Sequence, residues 1–115
     1  MENISARRHT DVMAKIVNLL LPADSRPPAV GRRVTALRMA LKLKPAEFAD
    51  SIQVDRSSLT KIEKGTAGLS LRSGMFLKQL YGVGLNFIYM GDLSDLPFDL
   101  RGPVMQNLLN PSTAE

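Results

Sequence analysis

The stretch Phe48–Gly65, FADSIQVDRSSLTKIEKG, holds two short apolar-periodic runs separated by only a few residues. Phe48, Ala49 and Ile52 form the apolar side of a helix expected over Pro45–Ser51, where proline suits the first turn and Glu47 faces the positive end of the helix dipole. Leu59 and Ile62 mark the inward side of a second helix. That helix should start at Asp55, a strong N-cap, and end at Gly65, which fits a left-handed C-terminal cap. Val54 completes the inward set. Ala49 is small where the two helices would cross most closely.

Two short helices joined by a turn of about four residues form a helix-turn-helix unit. With the apolar positions turned inward, Arg56, Ser57, Thr60, Lys61 and Lys64 are left outward. Arg and Lys can pair with the acceptor edge of guanine, and Ser and Thr can serve bases or phosphates. The first turn of a recognition helix approaches base edges. Arg56 and Ser57 are therefore the expected base readers, Ser58 and Thr60 sit nearer phosphate, and Lys61 can reach either. The competing reading of this face is an ordinary solvated helix surface.

Helical periodicity extends to both sides. Val12, Met13, Ile16, Val17 and Leu20 predict a helix over Ser5–Leu21, stopped by Pro22 and followed by an extended Pro-rich connector. Val34, Leu37 and Leu41 predict a helix over Val30–Leu41, with Arg32, Arg33 and Arg38 around it. Ser70 can cap a helix over Leu71–Leu80, which Gly82 ends, and Leu85–Met90 gives a short fifth one. A last helix is predicted over Asp99–Leu109, with Gly102 and Pro103 arguing against it. Nothing in the chain predicts a strand or an internal repeat.

Composition bounds the function. The chain has no cysteine and one histidine, His9, so neither a thiolate site nor a cluster of converging metal ligands is expected. No nucleophile–base set or cofactor loop appears, so the reading is of a non-enzyme without cofactor. Asp92 and Asp95 read as loop caps, and Gly82–Gly84 as a turn between helices. No apolar run reaches membrane-spanning length and no leader pattern opens the chain, so a cytoplasmic, non-membrane protein is expected. Residues 1–64 carry 12 Lys/Arg against 7 Asp/Glu, and residues 65–115 carry 3 against 4. The basic half points to a polyanionic partner.

Residues 30–92, and above all SSLTKIEKG and YGVGLNFIYMGD, resemble the lambda-repressor-like, Cro/C1-type (XRE) helix-turn-helix domain. The resemblance implies an all-α, five-helix domain over 30–92, with a helix and connector over 1–29 before it and a helical extension over 93–115 after it. It implies a regulator that binds double-stranded DNA, with repression by operator occupancy as the default and a homodimer to match palindromic half-sites. It also implies an ion pair between Arg38 and Glu63 that orients the second helix of the motif on the first helix of the domain. Lys44 and Pro45 stand where the family often has a capping residue followed by Gln, leaving Lys44 as a point-charge phosphate contact. Gln53 stands where the family holds glycine in the left-handed conformation. A side chain there costs about 1 kcal/mol, and a longer or reshaped turn is one way to avoid it. The loop after Gly65 lacks the family's basic residues. These departures support the rival reading, a protein-interaction module of antitoxin or antiactivator type. Apolar positions for a dimer are available in the first helix and at Leu85, Phe87, Ile88, Tyr89, Leu96, Phe98, Val104 and Leu108.

Overall fold

The computed structural model describes residues 24–111. The helix expected over Ser5–Leu21, with Arg7, Arg8 and His9, lies outside the described residues. The described chain is all-α: α1 Pro27–Ala40, α2 Pro45–Ser51, α3 Arg56–Lys64, α4 Leu71–Tyr81, α5 Leu85–Met90, a 3-10 turn Leu93–Asp95, and α6 Phe98–Leu109. No helix among these residues is long and apolar enough to cross a membrane. No group of three acidic or histidine side chains among them is placed to hold a metal ion.

α1 begins at Pro27 rather than at Val30, so the end of the expected extended connector is helix. The first amides of a helix have no partner within it, so Pro27 and Pro28 lose nothing there, and their fixed φ already suits the turn. Val30, Val34 and Leu37 are buried along one face. Arg33 belongs to that face as well. It is 2% exposed and donates through Nη1 to the Ile88 carbonyl at 3.0 Å, which ties the end of α5 to α1.

One core joins all six helices, from Val30 on α1 to Leu108 on α6. Phe87, Ile88, Leu96, Val104 and Leu108 are buried in it, so these positions pack within their own chain. Phe98, at 85% exposure, does not. α6 runs through Gly102 and Pro103 without breaking and packs mainly on α1, where Asn107 Nδ2 donates to the Ala36 carbonyl at 3.1 Å. Burying Val104 and Leu108 offsets the cost of the interior proline, about 3 kcal/mol.

α1 and α3 meet backbone to backbone at Gly31. A Cβ placed there would lie 2.4 Å from the Ile62 carbonyl oxygen and 2.8 Å from that of Glu63. The pair of aspartates read as loop caps acts so. Asp92 accepts from the Ser94 amide at 2.9 Å, and Asp95 accepts from the Asn86 amide at 3.0 Å.

Candidate nucleic-acid interface

The two helices of FADSIQVDRSSLTKIEKG enclose Phe48, Ala49, Ile52, Leu59 and Ile62, all buried, with Val54 half-buried. The turn keeps its compact form. Gln53 adopts φ 60°, and the Val54 amide reaches back to the Ala49 carbonyl at 3.0 Å. No reshaped turn is needed, because the left-handed strain at Gln53 is offset by the contacts around it. Its side-chain oxygen accepts from Arg72 Nη2 at 3.2 Å, and the neighbouring Ile52 carbonyl accepts from the buried Ser73 hydroxyl at 3.0 Å. Both partners lie in the first turn of α4, which Ser70 caps by accepting from the Ser73 amide.

α3 starts where Asp55 accepts from the Ser58 amide at 2.7 Å and from the Ser57 hydroxyl at 2.8 Å. The backbone bond from Ser58, then the hydroxyls of Ser57 and Ser58, hold the Asp55 carboxyl below its ordinary value of 3.8. A carboxyl lowered in the folded state stabilises the fold above its unfolded pKa. That contribution disappears as pH falls through the folded value. Asp55→Asn keeps an acceptor for the Ser58 amide but cannot titrate there. Its melting temperature is therefore expected to fall less steeply than that of the wild type as pH drops below about 3.8. Parallel melts from neutral pH into that acid range check this, and identical slopes would count against the cap.

The outward face of α3 is exposed at Arg56, Ser57, Lys61 and Lys64, and half-buried at Ser58 and Thr60. Arg56 lies forward along the helix, donating through Nη1 to Thr60 Oγ1 at 2.6 Å, and Thr60 Oγ1 donates in turn to the Arg56 carbonyl at 3.0 Å. At the helix end Gly65 takes φ 80°, and Thr66 donates through both its amide and its hydroxyl to the Lys61 carbonyl. Lys44 is exposed and precedes α2, but its side chain makes no capping bond.

Behind this face Arg38 grips Glu63 with two bonds, Nε to Oε2 at 2.7 Å and Nη2 to Oε1 at 3.1 Å. The two side chains are 12% and 15% exposed, so the pair is largely withdrawn from water. It joins α1 to the last turn of α3.

Residues 34–88 match the protein family described as helix-turn-helix. These residues form a domain of that family. No curated protein and no solved structure shows a significant match to it. The helix-turn-helix unit is of the Cro/C1 type, and the protein is a DNA-binding regulator.

Two features of this helix-turn-helix protein lie outside the residue set predicted from sequence. Arg33, expected around α1 with the other arginines, packs in the core. Its spacing from Val30, Val34 and Leu37 follows the helical repeat of the buried face, so the signal was present and only the charge argued against it. The Arg72–Gln53 bond joins residues nineteen apart, and no periodicity brings them together.

Proposed function

We propose that this helix-turn-helix protein represses transcription by occupying an operator as a homodimer, with α3 in the major groove. The reading rests on the division of α3. Leu59 and Ile62 are buried while Arg56, Ser57, Lys61 and Lys64 are presented to solvent. In this reading Arg56 and Ser57 meet base edges, Ser58 and Thr60 approach phosphate, Lys61 and Lys64 serve either, and Lys44 contributes a point charge. Arg38 and Glu63 hold α3 in place without touching DNA.

A single unit of this size covers few base pairs, and twofold pairing doubles the read sequence. Leu71 and Met75, one turn apart, expose apolar surface on one face of α4, which a second copy of the chain would cover. Sedimentation of the full chain with a selected duplex is expected to give two chains per duplex, and one chain per palindromic duplex would refute the dimer.

Selection of bound duplexes from a random pool tests the DNA reading directly. The enriched sequences should be palindromic, and affinity should fall steeply with salt as counterions are released. Arg56→Ala should cost about 1–3 kcal/mol on the selected duplex and relax preference at one base pair. An equal loss on every sequence would instead assign Arg56 to phosphate.

The uncapped start of α2 and the loop after Gly65, which carries no basic residue, favour a second reading, a protein-interaction module of antitoxin or antiactivator type. Absence of salt-sensitive binding to any duplex at low ionic strength would decide for it.

A further inference from the structure

Beside the outward face of α3 runs an open cleft of about 340 Å³. Arg56, Thr60 and Lys64 of α3 line it together with Arg32 of α1, and with Asn107 and Pro111 at and after the end of α6. Ala36 and Leu108 give it an apolar floor. Glu63 also lines it, but that carboxylate is engaged by both forks of Arg38. Among the described residues no ion pair involves Arg32, Arg56 or Lys64, and all three are exposed. The cleft therefore presents an uncompensated positive charge from two different helices.

We infer that this cleft seats the sugar-phosphate strand that borders the major groove, with Arg32 as a phosphate contact outside the helix-turn-helix unit. The inference rests on the DNA-binding reading above. Three observations carry it. The cleft is continuous with the reading face, since Arg56 and Lys64 belong to both. Those two residues are eight apart on one helix, which places their backbones about 12 Å apart along the axis. A wall of that length suits an extended strand better than one compact anion, with Lys64 and Arg32 toward phosphates while Arg56 turns to the base edges. The loop after Gly65 supplies no cation and the start of α2 supplies only Lys44, since Pro45 has no side-chain donor, so the strand needs further cations from elsewhere.

α6 takes part in building the cleft. Asn107 donates to the carbonyl of Ala36, one turn after Arg32 on the same face of α1. The end of the C-terminal helix is thereby fixed as the rim beside Arg32. A strand lying in the cleft would pass between the reading helix and that rim.

The test compares wild type, Arg32→Gln and Arg32→Lys by fluorescence anisotropy, on the selected duplex and on a scrambled one, across a salt series. Arg32 is exposed, so all three proteins should show the same melting curve. Arg32→Gln should lower the slope of log affinity against log salt by about 1. That corresponds to about eightfold weaker binding at 0.1 M salt, by the same factor on both duplexes. Arg32→Lys should restore the slope. An unchanged slope in Arg32→Gln, while wild type still binds with steep salt dependence, overturns the cleft assignment and leaves the DNA reading standing. So does a change in base preference at unchanged slope. Loss of salt-sensitive binding in the wild type itself overturns both. Sodium pyrophosphate at micromolar concentration and constant ionic strength should leave the complex intact. Displacement from wild type that vanishes in Arg32→Gln would give the cleft to a free phosphoryl anion instead.

Discussion

Gly31→Ala is expected to destabilise the protein by about 3 kcal/mol and to abolish specific DNA binding with it. A Cβ at position 31 would enter the backbone of α3, 2.4 Å from the Ile62 carbonyl oxygen and 2.8 Å from the Glu63 carbonyl oxygen. Neither atom can rotate away, so a whole helix has to move. α3 resists that movement because Leu59 and Ile62 are sunk in the core and Glu63 is clasped by Arg38. Overpacking of this kind costs about 1–3 kcal/mol where side chains can adjust, and backbone contact lies at the upper end. The sign of the effect decides the matter. Position 31 is inside a helix, where alanine is favoured over glycine by about 1 kcal/mol on propensity alone. A stabilised Gly31→Ala protein in chemical denaturation would show that the approach of α1 and α3 has slack.

Glu63→Ala should cost about 2–3 kcal/mol. Removing the carboxylate leaves a guanidinium that is largely out of water, with only the Leu43 carbonyl, at 3.4 Å, left to accept from it. An exposed pair would contribute under about 1 kcal/mol, and a fully buried one would cost about 3–5 kcal/mol on loss of one partner. The small residual exposure of both side chains puts this pair between the two. Arg38→Met with Glu63→Leu should recover most of the loss, because the isolated charge is what destabilises, and a double-mutant cycle by denaturation measures the coupling. A Glu63→Ala protein that melts like the wild type but shifts its base preference would move Glu63 from support to reading.

The reading surface was legible because it is local. One turn of helix repeats every 3.6 residues, so Leu59 and Ile62 inward leave Arg56, Ser57 and Lys61 outward without any knowledge of the rest of the chain. Asp55, Gly65 and Ser70 announce their helix ends through their own backbone chemistry. The misses share a different cause. Proline reads as a breaker, and only the free first turn of α1 makes Pro27 and Pro28 acceptable. Pro103 is tolerated because α6 is pressed against α1, a contact more than sixty residues distant in sequence. Gln53 reads as a poor turn residue until Arg72 is seen holding its side chain. The cleft joins positions 32, 56, 64 and 107, which no window of sequence brings together.

The attachment of the turn to α4 has a practical consequence. Ser73 and Arg72 grasp Ile52 and Gln53 from outside the two-helix motif, and Tyr81, at the other end of α4, donates to the Ser51 hydroxyl at 2.6 Å and stacks on Phe48. The portable piece is therefore three helices long, from Pro45 to Tyr81. A graft cut at Lys64 would carry the letters that read but leave behind the hinge pins that hold the page open.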